Sequence, residues 1–132
     1  MFSNCKTTTE QGDIGEARAI YEYVKLGYIV SKPINDKAKY DLIIDKDGVL
    51  QRVQVKTSSN HVKENNNIYK IKISSDYANR NVSIRKPRNE LDYDILFVLV
   101  ESGEVWSIPV EHLGDVKTQI NVGGTKYQEY KL

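Results

Sequence analysis

The chain lacks the features of several protein classes. Its single cysteine, Cys5, has no partner for an internal disulfide and cannot by itself build a cysteine zinc site. No apolar run approaches the ~18 residues of a membrane span, so we expect no membrane-spanning segment. The 19 basic and 18 acidic side chains nearly cancel, to a net charge of +1. Overall charge therefore does not indicate nucleic-acid binding, which would have to depend on local clusters.

The composition that remains is that of an ordinary globular domain. The chain has 132 residues, of which 39% are hydrophobic and 28% charged. This length is enough for one core, and we predict a single domain over residues 1–132. Residues 1–9 are polar and show no periodicity, which predicts a flexible arm. No charged stretch followed by an apolar one opens the sequence, so we expect a cytoplasmic protein without a secretory signal.

The most informative stretch is 39–56, which predicts two strands joined by a tight turn. Apolar and polar residues largely alternate on both sides of Asp-Lys-Asp-Gly at 45–48. Asp tolerates the left-handed conformation and Gly readily adopts positive φ, so this tetrapeptide favours a hairpin turn. Because successive strand side chains point to opposite faces, Gln54 and Lys56 share the face opposite Val53 and Val55.

The same hairpin brings Asp41 back toward Gln54 and Lys56. An acid, an amide and a cation would then lie together at the end of two short strands. The residues alone leave two interpretations open. The group is either a chemical site or the solvated face of an ordinary hairpin, with Asp41 paired to the lysine.

Residues 11–26 have the periodicity of a helix. The apolar residues at helical spacing are Ile14, Ala17, Ile20, Tyr21 and Val24. Thr9 or Asp13 is predicted to cap the start of this helix, and Gly27 to end it. Gly12 and Gly15 each cost roughly 1 kcal/mol relative to alanine in a helix. They indicate either a frayed first turn or a close approach to another backbone or a ligand.

The rest of the chain predicts further strands. These strands are expected at 28–32, 68–73, 95–100 and 105–108, with a short helix at 110–113 and a weak edge strand at 127–131. The apolar run at 95–100 indicates a buried central strand. Polar residues 57–67 disfavour regular structure, and 74–81 predicts a short helix or loop. This order predicts an α/β domain with a mixed sheet flanked by helices.

The pattern of Asp41 followed by Gln54-x-Lys56 resembles the motif of the PD-(D/E)XK nucleases. Gln54 stands where that family usually has Asp or Glu, and Tyr40 where it often has proline. The glutamine variant, Gly-x-x-Gly-Glu at 12–16 and Gly-Tyr-x-Val at 27–30 resemble the small homing endonucleases encoded in group I introns, and also archaeal-type Holliday-junction resolvases. The resemblance extends over roughly residues 12–110 and implies a restriction-endonuclease-like fold, with a mixed β-sheet flanked by helices.

The resemblance also implies a metal site. Asp41 is expected to bind Mg²⁺ directly, with Mn²⁺ as a possible substitute, and the backbone carbonyl of Val55 matches a ligand position. Glu16 is expected to complete the site directly or through water, with Asp13 as the alternative. The implied catalytic residues are Glu16, Asp41, Gln54 and Lys56.

Gln54 and Lys56 have the less usual roles in this site. Gln54 supplies a neutral amide oxygen, so the site carries less negative charge than one with glutamate. Lys56 is expected to orient or deprotonate the attacking water, or to stabilise charge on the phosphate.

The densest basic segment predicts contacts to DNA. It contains Arg80, Arg85, Lys86 and Arg88. Such side chains bind phosphates, and arginine also reads guanine in the major groove, although a solvated loop is an equal interpretation. Ser58 either contacts a phosphate or satisfies backbone groups of a turn.

Together these features predict a metal-dependent, sequence-specific DNA endonuclease acting on double-stranded DNA. One site per chain and two strands to cut imply a homodimer or homotetramer. The alternatives are a Holliday-junction resolvase, a small restriction endonuclease, or a non-catalytic DNA-binding or assembly module on a nuclease-like fold. An unrelated interaction domain, with a surface hairpin at 41–56, also stays open.

Overall fold

The fold is described from a computed structural model, which covers residues 1–79, 82–86, 89 and 91–132, with the backbone alone for 75–79 and 82–86. The elements in chain order are α1 (Thr8–Lys25), β1 (Ile29–Ser31), β2 (Leu42–Lys46), β3 (Val49–Ser58), β4 (His61–Val62), β5 (Asn65–Lys72), β6 (Ser75–Asn79), β7 (Val82–Lys86), β8 (Ile95–Val100), β9 (Val105–Pro109) and β10 (Gln119–Val122). Two short 3₁₀ helices lie at Val110–Leu113 and Gln128–Tyr130. None of the helices in these ranges is long and apolar enough to cross a membrane.

The helix α1 begins earlier than its apolar pattern indicates. Thr7 caps it by accepting a hydrogen bond from the backbone N–H of Glu10, and the Glu10 carboxylate accepts one from the backbone of Thr7. This capping box satisfies N–H groups that have no partner within the helix, so α1 starts at Thr8 and the predicted caps are wrong. Gly27, with φ of 90°, ends the helix as predicted.

Residues 1–9 do not form the flexible arm that their polarity predicts, because Phe2 packs in the core and Thr8 and Thr9 belong to α1. Phe2 is only 6% exposed and lies in the core beside α1. The N-terminal ammonium of Met1 makes an ion pair with Glu101 at 2.9 Å. One buried aromatic ring thus anchors a segment whose polarity predicts no core contact.

A mixed five-stranded sheet forms the centre of the fold, in the order β1-β2-β3-β8-β9. Strand β3 pairs in parallel with β8, while the other neighbours are antiparallel. Every residue of β8 is buried, which confirms the predicted central strand. The predicted mixed sheet is confirmed as well.

The predicted hairpin is formed by β2 and β3. Asp47 and Gly48 form its turn with φ of 55° and 81°, the two positive values that a tight hairpin requires. Leu42 pairs with Val53, which sets the register of the whole hairpin. This register places Asp41, the residue before β2, opposite Gln54.

Two hydrophobic layers cover the sheet. Helix α1 packs on the face that carries Val53 and Val55, with Ala19 and Tyr23 of the helix fully buried. A second sheet, in the order β10-β5-β4, packs on the other face around Trp106. Strand β3 therefore lies between a helix on one side and a second sheet on the other.

Three stretches differ from their local patterns. The polar residues 57–67 contain the end of β3, the short strand β4 and the start of β5, because pairing between strands outweighs the weak propensity of three asparagines. Residues 75–79 form β6, which pairs with β7, instead of a helix or loop. The expected edge strand at 127–131 is wrong, because Gln128–Tyr130 forms a 3₁₀ helix and Lys131 makes only an isolated bridge with Trp106.

Candidate active site

Asp41 directly precedes β2, at the point beyond which β3 has no paired residue of β2 beside it. Its backbone N–H donates to the Val53 carbonyl at 2.8 Å, and its Oδ2 accepts from the Val55 N–H at 2.7 Å. In the described sheet β2 pairs with β3 only as far as Val53. The carboxylate thus takes the place of a strand partner at the exposed edge of β3.

Glu16 reaches the same place from α1, through a close contact between the helix and β3. A Cβ added to Gly15 would lie 2.4 Å from Thr57 Cγ2 and 3.2 Å from Val55 Cγ1, so a glycine lets the helix approach this closely. A Cβ on Gly12 would meet nothing within 4 Å. The close-approach interpretation therefore holds for Gly15, with side chains as the neighbours, but not for Gly12.

A cavity of about 280 Å³ joins the two acids. Glu16, Lys32, Tyr40 and Asp41 line it, together with parts of the connection between β1 and β2. Lys32 Nζ lies 2.6 Å from Glu16 Oε1. Two carboxylates and a cation thus line one small opening.

Gln54 and Lys56 approach from the other face of the sheet. They pair with Leu96 and Val98 of β8, whose side chains belong to the hydrophobic layer away from α1. Both side chains are half-buried. The site therefore spans the edge of β3, with Glu16 on one side and the amide and lysine on the other.

Burial shifts the acid–base properties of this site. It raises the pKa of Asp41, which the nearby Glu16 charge also raises, while the hydrogen bond from Val55 and the charges of Lys56 and Lys32 lower it. Burial lowers the pKa of Lys56, against the opposing effect of Asp41. Both shifts favour the neutral forms, and a divalent cation beside Asp41 would oppose the first of them by favouring the ionised carboxylate.

The donor set fits a hard divalent cation. Glu16 and Asp41 supply carboxylate oxygens, and a third oxygen could come from the carbonyl of Val55, whose N–H donates to Asp41. The Gln54 amide Nε2 lies 3.4 Å from that carbonyl oxygen, and rotating the amide by 180° would present its oxygen in the same direction. Among the described residues no group of three or more His, Cys, Asp and Glu side chains is placed to hold a metal. A cation here would therefore depend on carbonyl, amide, water and phosphate oxygens besides the two acids, an arrangement typical of Mg²⁺.

The predicted DNA contacts fall mostly beyond the described side chains. Arg80 and Arg88 lie outside the described residues, and Arg85 and Lys86 lie on β7, of which only the backbone is described. Ser58 is buried, and its hydroxyl donates to the Lys70 carbonyl at 2.6 Å and accepts from the Asn60 N–H at 3.1 Å. Its contacts match the turn interpretation, and we do not propose it as a DNA contact.

Two residues at the site were missed by reasoning from sequence. Lys32 follows β1 directly, and only the folded connection brings it to Glu16. Gln11 donates from Nε2 to Thr57 Oγ1 at 3.0 Å, one turn before Gly15. The helical spacing of Gln11, Gly15 and Ala19 on one face was a signal that could have indicated the contact of Gln11 with Thr57.

Comparisons with known proteins identify the family. The family described as PD-(D/E)XK endonuclease matches residues 6–131. Protein 5.3 of Escherichia phage T7 is 29% identical over 90 residues, which cover 68% of this chain and 70% of that protein.

A solved structure provides the comparison of folds. The bacterial homing endonuclease I-Ssp6803I is similar with a TM-score of 0.80 and 28% identity, over 95% of this chain and 88% of that one. The predicted restriction-endonuclease-like fold class is thereby confirmed. Since the family match extends over nearly the whole sequence, the chain belongs to the PD-(D/E)XK endonucleases.

Proposed function

We propose that this nuclease is a divalent-metal-dependent, sequence-specific endonuclease that hydrolyses phosphodiester bonds in double-stranded DNA, in the manner of a homing endonuclease. The observation that carries the proposal is the shared cavity of Glu16 and Asp41 beside the half-buried Lys56. Similarity to a homing endonuclease over nearly the full length of both chains supports the specific form of the proposal.

The acids and the carbonyl are assigned to cation binding. Asp41, Glu16 and the Val55 carbonyl would hold Mg²⁺ or Mn²⁺, and Gln54 would add a neutral oxygen. When bound, the cation lowers the pKa of a coordinated water and neutralises charge on the phosphate. The hydrogen bond from Val55 N–H to Asp41 Oδ2 fixes the orientation of the carboxylate, leaving Oδ1 for binding.

Lys56 is assigned to the attacking water. Its ammonium is half-buried, so its pKa is lowered and it more readily gives up a proton than an exposed lysine does. In the neutral form Lys56 Nζ can accept a proton from the water, and in the charged form it can donate to a phosphate oxygen. The charge of Asp41 opposes this shift of the pKa and favours the ammonium form.

DNA recognition is assigned from the basic segment, and assembly from the size of the chain. Arg80, Arg85, Lys86 and Arg88 are proposed to bind DNA, since they form the densest basic segment. One active site in a chain of 132 residues would cut both strands as a homodimer, or as a homotetramer where a long target must be read.

Cleavage assays with a matched pair of lysine variants test the proposal. Wild type, Lys56→Met and Lys46→Met are incubated with supercoiled plasmid, genomic DNA and a four-way junction, with Mg²⁺ or with EDTA. Lys46 is a suitable control because it lies at the turn end of the same hairpin, where its Nζ donates to the Leu26 carbonyl. Sequencing the cut ends gives the specificity.

The outcomes distinguish the proposed nuclease from the alternatives. Discrete ends that need Mg²⁺, are lost in Lys56→Met and persist in Lys46→Met support the proposal. Cutting of the junction alone, at any sequence, indicates a resolvase instead. Cleavage that persists in EDTA or in Lys56→Met contradicts the assigned site.

A further inference from the structure

Lys32 holds one of the two acids of the candidate metal site. Its Nζ lies 2.6 Å from Glu16 Oε1, and that oxygen is fully enclosed. The lysine side chain is 58% exposed, whereas the glutamate side chain is 26% exposed. An outer, solvated cation thus covers an inner, enclosed carboxylate.

The position of Lys32 makes it a cation for the site as a whole. It lines the cavity that Glu16 and Asp41 share. Lys32 therefore places a positive charge beside both acids of the cavity. A positive charge at this position offsets the repulsion between the two acids, in addition to the charge that Lys56 supplies from the other face.

A metal ion and Lys32 would compete for Glu16. A divalent cation binds a carboxylate oxygen at about 2.1 Å, and an ammonium already in contact with that oxygen occupies the same approach. The two positive charges also repel each other at this distance. At Oε1, occupation by one therefore requires the other to leave, and the exposed lysine is the group that can swing outward.

We propose that Lys32 is an internal counter-cation of the metal site, which holds Glu16 in the metal-free protein and is displaced when a divalent cation binds. The inference rests on the proposed metal-dependent function. Displacement leaves the ammonium at the mouth of the cavity, where a DNA phosphate would meet it. Metal binding and DNA binding then favour each other, because each removes Lys32 from Glu16.

Metal titration without DNA tests this inference directly. The affinity for Mn²⁺ is measured by electron paramagnetic resonance, and for Mg²⁺ by calorimetry, in wild type, Lys32→Met and Lys37→Met. Lys37 lies on the same connection but does not line the cavity, so its variant matches the change in net charge. We expect Lys32→Met to bind metal about tenfold more tightly, within the usual range of coupled sites. Lys37→Met should stay close to wild type.

A double-mutant cycle identifies Glu16 as the group through which Lys32 acts. The gain in metal affinity from Lys32→Met should become much smaller when Glu16→Gln is also present, since only the weaker repulsion between Lys32 and the metal near Asp41 is then left to remove. Circular dichroism and thermal melting check that each variant is folded. A gain in metal affinity that is equally large in the Glu16→Gln background would contradict the assigned pairing.

The outcomes separate this inference from the proposed function. Unchanged or weaker metal binding by Lys32→Met, with Mg²⁺-dependent cleavage by wild type, overturns the counter-cation and leaves the nuclease mechanism standing. Metal binding by neither wild type nor the variant, with cleavage in EDTA, overturns both. Tighter binding by Lys32→Met alone supports the inference even where wild type binds too weakly to measure.

Discussion

The two halves of β3 have different neighbours. Residues 49–53, the paired half, lie beside β2 in a regular hairpin, and Arg52 there binds Asp94. Residues 54–58, the open half, keep β8 on one side but have lost β2 on the other, where Asp41 meets Val55. The backbone groups that a neighbouring strand would occupy are thus available to a carboxylate and, in the proposed site, to a metal. The proposed chemistry takes place where β3 extends beyond its pairing with β2.

The largest expected effect comes from replacing one aspartate beside each half of β3 with asparagine. Asp41→Asn should lower the cleavage rate roughly a thousandfold or more, because metal ligands contribute several kcal/mol to such reactions. Asp45→Asn should leave the rate nearly unchanged, since Asp45 only accepts a hydrogen bond from Gly48 in the turn. Single-turnover cleavage rates check both variants. Equal losses in the two would remove the functional distinction between the halves.

The contact between α1 and the open half should be sensitive to one methyl group. Gly15→Ala should lower the free energy of unfolding by about 1–3 kcal/mol, because its Cβ would overlap Thr57 Cγ2. Gly12→Ala should raise it by up to about 1 kcal/mol, since alanine is the better helix former and nothing lies nearby. Urea denaturation followed by circular dichroism measures both.

A second substitution tests the cause of this loss. Thr57→Ser removes Cγ2 but keeps the hydroxyl that accepts from Gln11, so it should restore most of the stability of the Gly15→Ala variant. No rescue would show that the close contact is not what requires glycine.

The paired half should lose stability in acid. The hydrogen bond and charge of Arg52 hold the pKa of Asp94 below its usual range. Its contribution is therefore present above an unfolded-state pKa of about 3.9 and lost as the pH falls through the folded-state pKa. Asp94→Asn should cost about 0.5–1 kcal/mol at pH 7, as for a partly exposed pair, and nothing in strong acid. Unfolding at a series of pH values gives this curve.

The open half should respond to pH with the opposite sign. Burial raises the pKa of Asp41, so its ionised form destabilises the metal-free protein above the folded-state pKa. That cost is relieved as the pH falls through the raised pKa toward the unfolded value. Asp41→Asn should therefore be more stable than wild type at pH 7, and the difference should vanish in strong acid. A less stable variant at neutral pH would contradict this assignment.

Much of the site is predictable because it depends on local chemistry. The hairpin follows from Asp47-Gly48, which adopt the positive φ values that the turn needs. Strand alternation then places Gln54 and Lys56 on the face opposite Val53 and Val55. The register of the hairpin brings Asp41 close to Gln54. The roles of these residues stay predictions until the variants are measured.

Contacts between distant segments were less predictable. Gly12 and Gly15 look equivalent in sequence, yet only Gly15 faces β3, because helix rotation is set by which face is buried. Asn65–Lys72 is a strand despite its opening asparagines, since β10 and β4 supply its hydrogen bonds.

The sequence by itself determined the hairpin, the buried strand β8 and the alternation that places acid, amide and lysine together. These depend on backbone preferences and on side-chain periodicity, which neighbouring residues set. Only the tertiary structure decided that Lys32 meets Glu16, that Phe2 anchors the N-terminus and that β2 stops short of Val55. Each of these depends on how separate elements pack and register against one another, which the pattern within any single element does not specify.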